Sequence, residues 1–441
     1  MNRPETTKFF SAGVSLLALV LLAAPAEAQG RRGRRCLAPS GGNDTTRLQA
    51  ALDRCSGAQA WCEVRLCRGT FHTEPLRVGD FRGRLRGSWR GGTVIQALPE
   101  APVNGNPDGY WLDDPLDPGL DPWPYILQFI GGRGEVRDLT LEVPTPPEGQ
   151  HPTQGWTELY GVTKEMAGAI LITGQDPVSF DVHDVRVVAG SYADGFLDST
   201  LLSGVSFRGL IHNPADPGGF PVFPVRGRYR IWDSEVTRTL CGTQLGELDK
   251  AEVVIAENDF ESLVAVDVLD GSRSRVSVYR NRWDTGFVGV QVILNVDGEP
   301  SVDNTVLVFR NRGTVGPYGG YGSGVYFADP WILPEPGNTT LSVFGNRMTV
   351  GTTEEAADTA VEASGAGRLW VGANRFRGRA VTGLRIDDTS GCRVYWNRLD
   401  GLDTGGGPHL DLGRETSDCL AVVGPDDIVN DDGTNNQVIV R

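Results

Sequence analysis

The second half of the chain returns six times to one phrase: two apolar residues one apart, two further residues, then an asparagine. It reads Val253-x-Ile255-x-x-Asn258, Val276-x-Val278-x-x-Asn281, Val306-x-Val308-x-x-Asn311, Leu341-x-Val343-x-x-Asn346, Leu369-x-Val371-x-x-Asn374 and Cys392-x-Val394-x-x-Asn397. Successive asparagines lie 23, 30, 35, 28 and 23 residues apart, the period of stacked coils and not of a globular domain. A unit this short cannot bury its own apolar face, so the 441 residues are expected to form one long domain in which each coil packs on its neighbours. At roughly 25–30 residues per coil, about a dozen coils fit between 60 and 435, giving a rod on the order of 60 Å long. The 58 glycines, nearly double the usual share, suit many short strands and turns. The asparagines themselves are expected to stack as a structural ladder, because a side-chain amide can satisfy turn backbone groups in every coil.

Residues 1–28 carry Arg3 and Lys8, an apolar run from Phe9 to Ala24 and the small-x-small site Ala26-Glu27-Ala28, which reads as a secretory signal peptide. The protein is therefore expected to be extracellular or periplasmic, with no membrane span after cleavage and as a monomer. Arg3 and Lys8 cancel Glu5 and Glu27, so residues 29–441 keep the net charge of −15. That charge argues against nucleic acid, which demands a basic face. It also repels polyuronates unless a divalent cation such as Ca2+ bridges the carboxylates. Arg31-Arg32-Gly33-Arg34-Arg35 reads as a solvated tail.

All seven cysteines follow the signal. Cys36, Cys55, Cys62 and Cys67 allow three pairings, which sequence leaves open. Cys392 and Cys419 occupy the same apolar slot one coil apart. Stacked strands about 4.8 Å apart bring them within disulfide reach, and that bond is expected, leaving Cys241 as a buried thiol.

Asn43-Asp44-Thr45-Thr46 offers a helix cap, after which Leu48, Ala51, Leu52 and Cys55 share one helical face. Short glycine-broken strands follow: Val64-Arg65-Leu66, Gly69-Thr70-Phe71, Leu76-Arg77-Val78, Gly83 to Gly87 and Thr93-Val94-Ile95. A helix of the form Asp-Thr-x-x-Leu-Gln-x-Ala-Leu, then a strand, Gly-Thr-Phe, a strand and Leu-x-Gly, resembles the opening of right-handed parallel β-helix proteins of the pectin-lyase-like superfamily. The resemblance implies an all-β, single-stranded right-handed parallel β-helix whose N-terminal cap spans about 36–60. It also implies an extracellular polysaccharide as partner. It is specific for fold and not for activity.

Three insertions, 99–124, 143–160 and 214–226, interrupt the coils, and loops on a rigid scaffold commonly carry function. Each late coil also has a second strand after its asparagine, in which apolar residues flank one outward position. These outward residues read Gln244, Asp267, Gln291, Tyr326, Glu362, Arg385 and Asp411, a polar strip expected to be continuous. Glu362, Arg385 and Asp387 are its candidate catalytic set, with Asp267, Gln291, Tyr326 and Asp411 binding substrate. Glu362 and Asp387 fall roughly 8 Å apart at the backbone, inside the range for inverting glycosidase carboxylates. Charges alternating on an exposed sheet also pair across strands merely for solubility.

Lys164, His183 and Asp184 form an alternative mid-rod set, beside Glu165, Asp194, Asp198 and His212. A lyase needs a base, which Lys164 or Arg186 would supply. His183 itself is expected to be an ordinary exposed outward residue. The Asn-Thr-Asp, Asp-Asp and Gly-His constellation of polygalacturonase-like hydrolases is missing, and Asp387-Asp388 is a lone doublet. Asp113-Asp114-x-x-Asp117-x-x-x-Asp121 offers calcium ligands without the spacing of an EF-hand loop. Two readings therefore stand: a polysaccharide lyase or glycoside hydrolase, or a non-catalytic glycan-binding surface protein.

Overall fold

The computed structural model describes residues 36–441 apart from 89–91, 99–124, 146–165, 175, 192–198, 210–223, 295–301, 319–320 and 330–337. The expected signal peptide therefore lies outside the described residues, as do nearly all of the three insertions.

From Cys36 onward the chain is a right-handed parallel β-helix capped by the helix Thr45–Asp53. Leu48, Ala51, Leu52 and Cys55 of the cap are buried as their spacing requires. The cap differs in detail, because the Asp44 carboxylate accepts from Ser40 N–H and Arg47, while the Asn43 amide oxygen accepts from Thr45 N–H. The N-terminal cysteines pair as Cys36–Cys67 and Cys55–Cys62. Cys392 and Cys419 are joined with their Cα atoms 4.4 Å apart, and Cys241 is buried outside any disulfide.

Each coil contributes to three faces. On the first, the phrase stacks in register, Val253 on Val276, Val306, Leu341 and Leu369, and Ile255 on Val278, Val308, Val343, Val371 and Val394. The second face begins after the asparagine. There Trp283 turns inward opposite Gly313, and a Cβ at that glycine would overlap the indole ring. The third face stacks Val266, Val290, Val325, Val361, Leu384 and Leu410 inward. One apolar core runs the length of the rod, from Leu48 to Val423.

The asparagines hold the corner between the first two faces. The residue before each is left-handed, with φ of 59° at Glu257, 58° at Arg280, 57° at Arg310 and 53° at Ala373. That conformation is unfavourable for residues other than glycine. Hydrogen bonding offsets the cost. In Asn311 the Oδ1 accepts from the backbone N–H and Nδ2 of Asn281, each at 3.0 Å, while its Nδ2 donates to Val278 O at 2.9 Å and to Asn346 Oδ1 at 3.0 Å. The same pattern runs from Asn258 to Asn397. Ser234, where the asparagine is replaced, still donates its N–H to Asn258 Oδ1.

Candidate functional site

The outward residues of the third face stand one per coil in a single column. Gln244 pairs with Asp267, then follow Gln291, Tyr326, Glu362, Arg385 and Asp411. The column is not uniformly exposed, which corrects the expectation of a continuous surface strip. Gln244 and Asp267 are 6 % and 5 % exposed, although alternation points both away from the core. Beside them a second apolar cluster, including Tyr125, Leu171, Leu202, Leu263, Val264 and Val288, lies apart from the main core.

At this closed end the polar groups bond to one another. Asp267 accepts from Gln244 at 3.3 Å, Gln291 at 3.1 Å and the Cys241 thiol at 3.8 Å. Arg208 donates to Gln244 at 3.4 Å and makes a buried ion pair with Glu247 at 3.2 Å. Burial pushes the Asp267 carboxyl up to about 6, against the opposing pull of its hydrogen bonds and of Arg208. Because the folded state binds this proton more tightly than the unfolded chain, the associated stability is complete below about pH 4 and lost as pH rises through about 6. The amount is about 3 kcal/mol. Asp267→Asn is expected to flatten that fall in urea-unfolding free energy between pH 4 and 7. An unchanged pH slope would refute the assignment.

Arg208 and Glu247 were not legible in the sequence. Arg208 stands in register with Gly246, whose missing side chain leaves room for the guanidinium to reach Glu247. The only signal was an arginine opposite a glycine, visible once the irregular middle coils are aligned.

The open end of the column is different. Arg385 lies 3.2 Å from Asp358 and 3.6 Å from Glu362, and all three are partly exposed. Asp358 is a further residue the sequence did not single out. Desolvation raises Glu362, with Asp358 and Asp387 adding to the rise and Arg385 opposing it. Desolvation also raises Asp387, helped by Asp411 and Glu415. Tyr326 is raised by burial and then by Glu362 and Asp358. Glu362 pairs with Arg385 across adjacent coils, and Asp387 lies two residues on, so the diagonal between the carboxylates is about 8 Å at the backbone. Asp387 packs against Gly413, where a Cβ would overlap its Oδ1.

Of the alternative mid-rod set, the described residues His183 and Asp184 do not lie on this face. His183 belongs to the first face, in register with Trp232. It is 5 % exposed and not the surface residue expected, because its ring stacks on Trp232 at 4.2 Å and bonds Glu135 at 3.1 Å and Asp184 at 2.8 Å. Arg186 is exposed and faces Glu235. Lys164, Glu165, Asp194, Asp198 and His212 lie outside the described residues. Among the described residues no group of three or more His, Cys, Asp or Glu is placed to hold a metal ion, and the acidic stretch 113–121 lies outside them.

No family model and no curated relative match the sequence. Among solved structures, the chain is similar to the A-module of the Azotobacter vinelandii mannuronan C-5 epimerase, at 13% identity over 91% of this chain and 96% of that one, with a TM-score of 0.43. It is similar to the Streptococcus pneumoniae surface adhesin PfbA at 11% identity over 91% and 93%, TM-score 0.46. It is likewise similar to the polygalacturonase of Erwinia carotovora at 13% identity over 92% and 96%, TM-score 0.36. All are pectin-lyase-like right-handed β-helix proteins, and likeness at this level is one of fold.

Proposed function

We propose that this is a secreted glycan-cleaving enzyme that holds a polysaccharide along the third face and hydrolyses it at Glu362, Arg385 and Asp387. The observation that carries the reading is a pair of half-buried carboxyls on adjacent coils, bracketing one arginine in an outward column with Tyr326 and Asp411. Burial raises both carboxyls and Arg385 opposes the rise in each. We assign Asp387, beside Asp411 and Glu415, as general acid on the leaving oxygen. Glu362, next to the Arg385 guanidinium, serves as base for the attacking water. A backbone separation of about 8 Å leaves room for that water. Tyr326 offers a ring face to a sugar, and Asp411 and Gln291 offer hydrogen bonds on either side.

Elimination fits less well, because Arg385 is engaged by Asp358 and Glu362. A purely binding role would favour a strip without perturbed acids, whereas Asp267, Glu362 and Asp387 are all raised. The Cys392–Cys419, Cys36–Cys67 and Cys55–Cys62 disulfides suit an oxidising compartment. The test is incubation with a panel of neutral and uronate polysaccharides, with and without Ca2+, following both new reducing ends and the ultraviolet absorbance of unsaturated sugars. Reducing ends without unsaturation are expected. Unsaturated product would replace hydrolysis by elimination, and silence on every polymer would leave the binding-protein reading.

A further inference from the structure

The corner between the first two faces carries a second pattern, spelled around the ladder asparagines. It reads Tyr279-Arg280-Asn281-Arg282, Phe309-Arg310-Asn311-Arg312, Phe344-Gly345-Asn346-Arg347, Gly372-Ala373-Asn374-Arg375 and Tyr395-Trp396-Asn397-Arg398. The asparagine points inward, so its neighbours are forced outward. The arginine after it then stacks coil on coil, Arg282 on Arg312, Arg347, Arg375 and Arg398, in an unbroken register. The ring two residues before it forms a parallel column, Tyr279, Phe309 and Phe344, then Tyr395 beyond Gly372.

The aromatic rings pack on one another from coil to coil, but the arginine column has no structural duty that accounts for it. Arg310, Arg312, Arg347 and Arg398 are exposed and Arg375 half-buried. Arg280 and Arg282 pair with Glu257 at 2.9 Å and Asp259 at 3.6 Å, but among the described residues the five later arginines face no carboxylate within ion-pair distance. An open groove of about 930 Å³ lies beside the first three of them, lined by Arg280, Arg310, Arg312, Arg347, Phe309 and Phe344. Phe344 is 41% exposed and Trp396, at the far end, 68%. In a chain of net charge −15, four stacked guanidinium groups without a carboxylate in reach, Arg312, Arg347, Arg375 and Arg398, with Arg310 beside them, are a concentrated exception.

We propose that this corner binds a linear acidic polysaccharide, one uronate carboxylate to each arginine, with the sugar chain running alongside the edges of the aromatic column. Coils advance by about 4.8 Å, close to the length of a pyranose unit in an extended chain, so cation and carboxylate repeat in step along the rod. Arginine suits the partner because its planar fork meets a carboxylate with two parallel hydrogen bonds. Nucleic acid fits worse. Tyr279 and Phe309 stack on each other at 4.8 Å and 15°, leaving no gap between them for a base. The surface is separate from the third-face column and does not depend on the reading of that column as an active site.

Affinity electrophoresis of the purified protein through a gel containing linear polyuronate tests this. Retardation is expected, weakening as salt rises, and the triple variant Arg312→Gln/Arg347→Gln/Arg375→Gln should bind roughly tenfold more weakly with its melting temperature preserved. Lysine at the same three positions should restore most of the binding, and Arg54→Gln/Arg65→Gln/Arg82→Gln, which removes the same charge from exposed arginines near the N-terminal cap, should bind like the unaltered protein. The proposal is overturned if the corner triple glutamine variant binds normally, if the N-terminal triple variant loses as much binding, or if single-stranded DNA of equal charge is retained as strongly.

Discussion

Glu362→Gln is expected to lower glycan-hydrolysis kcat by roughly 10²–10⁴, and Asp387→Asn by a similar factor on a natural polysaccharide. The two should part company on an aryl glycoside with a good leaving group. Protonation of the leaving oxygen is then dispensable, so Asp387→Asn regains activity while Glu362→Gln does not. The pH profile gives an independent check. Activity falls on the acid side as Glu362 takes a proton and on the alkaline side as Asp387 loses one. Desolvation raises both groups, so the whole profile should sit above the ordinary carboxylate range. Equal rescue of both variants by the aryl substrate would remove the assignment of roles. Unchanged kcat in both would remove the site.

Asn311→Ala is expected to cost about 4 kcal/mol in urea unfolding. Asn311 is fully buried. Its loss strands the N–H and Nδ2 of Asn281 and the amide partner on Asn346, and takes one donor from Val278 O. Each buried polar group left without a partner costs about 1–3 kcal/mol. Asn397, partly exposed at the end of the ladder, receives the Asn374 N–H and Nδ2 and has water within reach, so Asn397→Ala should cost about half as much. Equal losses at the two positions would show that burial within the amide stack is not what matters.

The contrast between these residues tells how far the sequence could be read. Asn311 and its equivalents were legible because a corner repeated in every coil imposes the same demand each time. Cys392 and Cys419 followed from that register, and so did the order of the third-face column. The open-end residues Glu362, Arg385 and Asp387 were visible for the same reason, since Val361, Leu384 and Ile386 mark the inward positions around them. His183 was misjudged because alternation gives the direction of a side chain and not what lies over it. Trp232, a whole coil later in sequence, covers the ring.

By itself, then, the sequence determined the coil, its period, the corner that asparagines hold and which side chains leave the core, all consequences of local alternation repeated down one axis. Tertiary structure alone decided which outward groups are dry and which are wet. It gathered Arg208, Glu247 and Asp267 into a buried network, left Glu362 and Asp387 half-open around Arg385, and lined five arginines along one corner. Charge, desolvation and access depend on neighbours one coil away, at separations in sequence that vary from coil to coil, so no fixed spacing could encode them.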